Sequence, residues 1–540
     1  RKSSVFSKPK PISYDVMIYT VSIAIYLLAL VGVGIYKTKM VKSSEDFMVA
    51  GRILPWYILV GTLLATWMGS GSLFSGAGLG YRNGPAALWS SAGAWLGIAL
   101  IYFIAKRIRN FGKITVPDIF EIRYGNFAAV LATITTVIAY TTIVSYQFRG
   151  GGKVLSMVSD GMISLEAGII ITAVFAISYT ILAGMFSVVY TDVVNGVLMT
   201  IGVLTALAVM IINIGGVGEM IQVADQAGKW SMFGNWAAER SGDISGPIIA
   251  ISFFVPTMLL LMGDANMYQR IFSAKDGGSA KKAVFFWVIG VVILESSISF
   301  LGLTGSVAAE KGLLPDLVQN EQQVVFLEAM KTGSAPLPAD LLSARQSGSE
   351  SVIPAIAIHG GLPLIIGLIL VSTMMAIIVS TADSFLLIPA TNLTRDVYQK
   401  HINTSASEKQ IILVSRALVL ILGLIAFLLV SQFKTVLNAA FTAYNIYGAS
   451  LTPSLLAAFL WKRATKEGAV ASIMTGASIT IIWTYFLPNW SGFNNLNPFL
   501  QELTYPAAGL SILVLIVVSL FTPAPKKEVY EQFFNDSNKI

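Results

Sequence analysis

Ala65-Thr66-Trp67-Met68-Gly69-Ser70-Gly71-Ser72 interrupts an apolar run that opens near Trp56 and closes near Leu79. Two glycines and two serines in four positions are poor helix formers. The run around them is still long enough, at 1.5 Å per residue, to cross a hydrocarbon core roughly 30 Å thick. A helix broken at that depth frees backbone N–H and C=O groups where no water reaches them, so protein, ligand or ion must meet them. Two later runs break in the same manner. One carries Pro256 and then Gly263-Asp264; the other reads Tyr444-Asn445-Ile446-Tyr447-Gly448 and then Thr452-Pro453. The first two breaks lie five spans apart, each at the head of a five-span unit. Five is odd, so the second unit is inverted relative to the first. Interrupted helices at matching places in two halves point to a solute site near the bilayer midplane of a secondary transporter. The competing reading is that small residues simply let helices pack closely.

The rest of the chain fits a membrane setting. Of 540 residues, 55% are hydrophobic and 12% charged, about half the charged share of a soluble protein. Apolar runs of about twenty residues recur along the length and do not alternate, which excludes a closed barrel. With no cysteine, and only His359 and His401, a disulfide framework, a thiolate site and a histidine metal centre are excluded. The net charge of +7 follows from topology rather than from a nucleic-acid partner. No signal-peptide pattern opens the chain.

Thirteen spans are expected, in an all-α polytopic fold. The predicted organisation is an extracellular tail over 1–11, a first helix over 12–36, and a first repeat of spans two to six over 56–213. An outer loop over 214–246 follows, then a second repeat of spans seven to eleven over 247–461 that includes an outer loop over 309–361. Spans twelve and thirteen occupy 462–522 and a cytoplasmic tail 523–540. The alternate connections carry unequal positive charge: eighteen Lys and Arg, such as Lys106, Arg107 and Arg109, against nine such as Arg82 and Lys153. The positive-inside rule then sets the N-terminus outside and the C-terminus inside, in the plasma membrane. The 309–361 loop reads either as a lid, with a helical patch around Glu321–Met330, or as an ordinary solvated loop.

Span nine contains Val379-Ser380-Thr381-Ala382-Asp383-Ser384. Helical spacing brings its three hydroxyls and one carboxylate to adjoining faces. A carboxylate at bilayer centre costs about 2.5–3.5 kcal/mol on insertion scales, so something must offset it. Hydroxyl and carboxylate oxygens are hard ligands suited to a cation such as sodium. Asp192 in span six and Asp264 in span seven are further interior acids. Each also has a structural reading: Asp192 as a helix-terminal acid, Asp264 as the ion-pair partner of Arg270.

These residues resemble the sodium:solute symporter family, which includes sodium/glucose, sodium/proline, pantothenate and high-affinity choline transporters. The matching segments include Ser44-Glu45-Asp46-Phe47, the break at Ala65–Ser72, Thr115-Val116-Pro117-Asp118, Tyr190-Thr191-Asp192, Tyr268-Gln269-Arg270 and Ser380–Ser384. The resemblance implies the leucine-transporter fold of two inverted five-helix repeats plus flanking helices. It implies a common sodium site at Ala65, Met68, Ile377, Ser380 and Thr381, and a second ion site at Asp192, Ser380, Asp383 and Ser384, where the two acids could instead share a proton. Substrate positions carried over from sugar transporters fall on Ser72, Ser91, Thr257 and Asn445, too few polar partners for a hexose. Trp67 could stack on a solute, and Asp264 could pair with an amine.

The expected function is symport of a small amine-bearing or zwitterionic solute, with sodium as the coupling ion and alternating access as the mechanism. A monocarboxylate or pantothenate-like anion, or a solute sensor, is the alternative. Enzyme chemistry is not expected, because there is no phosphate-binding loop or metal cluster. A channel is not expected either, because there is no repeated filter sequence. A monomer is expected to work alone, with dimerisation left open.

Overall fold

The computed structural model describes residues 14–38, 43–112, 115–236, 245–318, 339–487, 490, 492–493 and 496–534. The tail over 1–11 and the Glu321–Met330 patch lie outside these residues. The described chain is almost wholly helical. In order, the main helices are α1 (Tyr14–Thr38), α2 (Trp56–Trp67), α3 (Ala77–Asn83), α4 (Leu88–Asn110), α5 (Asn126–Val158) and α6 (Leu165–Asn213). There follow α7 (Gly246–Gly263), α8 (Ala265–Phe272), α9 (Gly277–Glu310), α10 (Leu364–Asn392) and α11 (Glu408–Leu429). The last are α12 (Val436–Ser450), α13 (Thr452–Leu460), α14 (Lys466–Ile481), α15 (Thr504–Phe521) and α16 (Lys527–Phe534).

Ten stretches among the described residues are long and apolar enough to cross a membrane, fewer than the thirteen runs counted in sequence. The difference lies in the broken and bent helices. The stretch Gly71–Asn110 joins the second half of one run to the next through the turn at Gly84-Pro85. The α2 half by itself, Trp56–Trp67, is too short to count, as is Met17–Val33 within α1. The run 434–461 is divided between α12 and α13, where Pro453 starts a new helix. The runs expected over 163–183 and 187–213 remain two crossing stretches, Leu165–Leu182 and Val188–Asn213, separated within α6 by a kink at Gly184, whose φ of 61° only glycine adopts freely. The run expected from 117 is also divided. A capping box at Thr115 and Asp118 starts a separate short helix, Val116–Tyr124, before α5.

Burial follows sequence character. Helix α10 is predominantly apolar, and every residue from Leu370 to Asn392 is buried, its hydroxyls and Asp383 included, as expected of a helix with no solvated face. It packs against α6 and α5. Helix α11 instead leaves Leu413, Leu420, Leu424 and Leu428 exposed. A hydrocarbon surround accepts such a face where water would not. Outside the spans, Asp276 caps α9; the Ser279 backbone N–H donates to it at 2.7 Å and holds its carboxyl below the usual range.

The loop over 309–361 is not simply solvated where it is described. Gln346, Ser349 and Glu350 are buried. Glu350 pairs with Lys153 of α5 at 2.5 Å and accepts the Leu437 N–H of α12 at 2.9 Å. Helices α3 and α9 cross backbone to backbone, because a Cβ added at Gly302 would collide with the Ala77 carbonyl oxygen. Gly302→Ala should therefore destabilise the protein by about 1–3 kcal/mol. Thermal unfolding in detergent checks this: the midpoint should fall relative to the parent, and an unchanged midpoint would mean that the crossing is looser than described.

Candidate ion and solute sites

Helix α2 ends at Trp67, and Met68 is extended, with φ −72° and ψ 118°. The break frees backbone groups that side chains then meet. The Thr381 hydroxyl donates to the Met68 carbonyl at 2.8 Å and lies 3.5 Å from the Ala65 carbonyl. The Ser70 N–H donates to Gln147 Oε1 at 2.8 Å. Ile377 is buried one helical turn before Thr381 on α10. Four of the five residues assigned to the common sodium site are thus joined directly or are adjacent in sequence, at the contact of α2 with α10.

The residues assigned to the second ion site begin at Ser380. Its hydroxyl donates to Asp192 Oδ1, and Thr62 donates to Asp192 Oδ2 at 2.6 Å. Asp192 lies within the straight stretch Val188–Asn213 and is fully buried, not at a solvated helix end. Arg270 of α8 reaches the same carboxylate at 3.3 Å and donates to Ser384 Oγ at 2.7 Å. Asp383 faces elsewhere: Thr180 donates to its Oδ1 at 2.6 Å, and its Oδ2 has no hydrogen-bond partner among the described residues.

Arg270 therefore pairs with Asp192 and not with Asp264. Asp264 caps α8 by accepting the Asn266 and Met267 N–H groups at 2.7 and 3.1 Å. Tyr140 donates to it at 3.1 Å. The gap between α7 and α8 is bridged by the Tyr447 hydroxyl, which donates to Gly263 O at 2.9 Å and accepts the Ala265 N–H at 3.1 Å.

Trp67, Ser72, Ser91 and Thr257 line one small cavity of about 20 Å³ together with Glu295 and Tyr444. That is room for about one water. Glu295 was not singled out in the sequence. Its Oε1 accepts the Trp67 indole N–H at 2.7 Å, and its Oε2 accepts that of Trp95 at 3.1 Å. The available signal was a lone acid directly after the apolar run Val291–Leu294 inside a span, a residue type that marks a functional position in a membrane. Asp264 and Asn445 lie outside this cavity. Asn445 lines a second, larger one of about 460 Å³. Phe441 lines both, its ring 4.9 Å from Phe253 and 5.5 Å from Tyr444. Asp118, Glu121 and Asp396 also converge, but around the Lys400 ammonium, 2.9 Å from Asp118 and 3.0 Å from Asp396, which leaves no call for a metal there.

The sequence profile of the Sodium:solute symporter family matches residues 47–476. The osmoregulated proline transporter of Bacillus subtilis is 25% identical, over 95% of this chain and 96% of its own length. A sodium/proline symporter of Staphylococcus aureus is 26% identical, over 94% and 93%. A substrate-bound, outward-open Na+-coupled sialic acid symporter shares the fold, with a TM-score of 0.74 at 18% identity over 94% of this chain and 98% of that one. A nucleobase-cation-symport-1 family transporter shares it more distantly, with a TM-score of 0.54 at 12% identity over 90% and 97%. The leucine-transporter architecture of inverted repeats is therefore the fold of this chain.

The role of Asp264 as a cap gives a direct prediction. Asp264→Asn keeps an acceptor and should unfold within about 0.5 kcal/mol of the parent, whereas Asp264→Ala should lose about 1–2 kcal/mol. Equal losses in thermal unfolding would show that its charge, not its cap, matters.

Proposed function

This chain belongs to the sodium:solute symporter family, and on that footing we propose that it takes up a small amine-bearing or zwitterionic solute with sodium, by alternating access. It is a multi-pass membrane transporter and not an enzyme. The observation that carries the choice of solute is Glu295, a carboxylate on the wall of the Trp67 cavity. A carboxyl group flanked by two indoles suits an ammonium group and disfavours the monocarboxylate and pantothenate-like alternatives. The relatives' named solute, proline, is a zwitterion and falls in the favoured class.

Sodium is assigned to the Ala65, Met68 and Ile377 carbonyls with the Ser380 and Thr381 hydroxyls, all hard oxygens. Its arrival would replace the hydrogen bond from Thr381 to Met68 and pin the broken helix to α10. Trp67 is the neighbour of Met68, so one backbone segment carries an ion ligand and a wall of the solute cavity. That adjacency is the coupling. A second ion is assigned to Asp192, Ser380, Asp383 and Ser384. The solute is assigned to Trp67, Ser72, Ser91, Thr257 and Glu295, with Asn445 facing it in the larger cavity and Asp264 holding the second break in shape. The inner cavity must widen before a solute fits, and Phe441, the shared wall, is the side chain that has to move. One sodium moving inward through 100 mV supplies about 2.3 kcal/mol, roughly a fifty-fold solute gradient. The N-terminus is assigned to the outside, the C-terminus to the cytoplasm, and a single chain to a complete transport unit.

A solute panel in proteoliposomes, with and without an inward sodium gradient, tests the reading. Uptake of an amino acid or other amine should require sodium; uptake indifferent to sodium would overturn it. Ser380→Ala should raise the sodium concentration for half-maximal uptake about tenfold, and an unchanged value would remove Ser380 from the site. Glu295→Gln should weaken uptake of an amine-bearing solute by about tenfold or more, the scale of a lost hydrogen bond to a charged group. No loss would exclude the ammonium contact.

A further inference from the structure

Arg270 is buried without exposure and ties four helices together. Its Nε donates to Thr62 Oγ1 of α2 at 3.0 Å, and its NH1 donates to Asn266 Oδ1 of its own α8 at 3.1 Å, with the Asn266 carbonyl at 3.5 Å. Its NH2 contacts Asp192 Oδ2 of α6 at 3.3 Å and donates to Ser384 Oγ of α10 at 2.7 Å. Asp192 and Ser384 are two of the four residues assigned to the second ion site. A guanidinium already stands between them, and two cations cannot share the same oxygens in a buried, low-dielectric place. Arg270 is also carried on a half-helix cut loose from α7 at Asp264, so it can leave only if that half-helix moves.

We propose that Arg270 is a tethered cation that fills the second ion site while the α8 side of the transporter is closed, and that entry of an ion there and release of α8 are one exchange. The proposal rests on the second-site assignment above. The guanidinium neutralises Asp192, which would otherwise be an unpaired charge. A sodium ion that takes its place neutralises the same carboxylate and sets Arg270 free, so the carboxylate is never bare. Closure and occupancy of that site therefore exclude each other, and the closed chain holds one sodium fewer than its oxygen clusters suggest. The shape of α8 supports this reading: Arg270 is its one charged side chain, and its other end is fixed by the Asp264 cap and the Tyr447 hydroxyl. The half-helix would move about that end together with the Leu54 segment, which pairs with Ser273 and Lys275 just beyond Arg270.

Equilibrium binding of radioactive sodium to the purified full chain in lipid nanodiscs tests this, with thermal unfolding as the check on folding. The parent should bind one sodium tightly and a second only at about tenfold higher concentration or more, because the guanidinium must first be displaced; Arg270→Gln should take the second without that step, while Arg270→Lys, which keeps the positive charge, should behave as the parent. Arg270→Gln leaves Asp192 unpaired when no ion is present, so it is purified in sodium. Thr62→Val provides a milder arm. It removes the oxygen that holds Nε yet is no ion ligand in the assignment, so sodium affinity should rise several-fold. If Thr62 merely supported Asp192, affinity would fall. A parent that binds two sodium ions with equal affinity, an Arg270→Gln chain whose second sodium binds no more tightly than the parent's, or a fall in affinity with Thr62→Val would each overturn the exchange while leaving sodium coupling intact. A parent that binds no sodium would instead overturn the coupling itself.

Discussion

The helices that would run through Met68 and Asp264 are each cut, and the polar backbone freed by each cut has to be satisfied where water does not reach. That constraint selects the neighbours of the cuts. At the first, Thr381 of α10 donates to the Met68 carbonyl and Gln147 of α5 accepts the Ser70 N–H. At the second, one tyrosine hydroxyl serves both ends, donating to Gly263 O and accepting the Ala265 N–H. Tyr140 of α5 does similar work beside it, donating to Asp264 and accepting the Asn266 N–H. Helix α5 thus attends both cuts, and its burial between α6, α10 and α12 follows from that position. A carbonyl held by a hydroxyl at bilayer depth is also a carbonyl that a sodium ion can take over, so the solution to the backbone problem is what makes an ion site available.

Interior charges obey a related rule. Each is costly alone, and the structure supplies partners from distant parts of the chain. Asp192 has Arg270 and three hydroxyls, of Thr62, Thr66 and Ser380. Glu295 has two indole N–H groups. Lys153 and Glu350 pair at 2.5 Å and bind the 339–359 region to α5 and α12. These contacts join helices from both halves of the chain, so rearranging the halves means exchanging partners and not simply sliding apolar faces. The proposed ion cluster and solute cavity meet at Met68 and Trp67. Two consecutive residues of an interrupted helix point to two different chemistries because an extended residue turns successive groups in opposite directions.

The membrane character, the two broken helices, and the hydroxyl and carboxylate cluster on span nine were readable from the chain alone. They are local properties. Hydropathy, glycine and serine content, and helical spacing are all set within a few residues, and the match of Ser380 and Thr381 to the Ala65–Met68 break followed from the family pattern. The fine limits were less legible, because a hydropathy window reads through the capping box at Thr115 that starts a separate helix before α5, and through Pro453, where α13 begins.

What the chain by itself could not decide was pairing. Arg270 has acids at two sequence distances, and only packing selected Asp192, brought 3.3 Å away, over Asp264, which is taken up by its own helix end. Glu295 reads as a lone acid until α9 is laid against α2 and α4, whereupon Trp67 and Trp95 close on it. Ser72, Ser91 and Thr257 share its cavity, while Asn445, equally plausible by position, lines another. The sequence determined which helices had to break and which oxygens were hard enough for sodium, because both are matters of residue type. The tertiary structure decided which charge meets which, because a buried charge is placed by whatever the packing brings within three ångströms or so, and that distance is not written in any one segment.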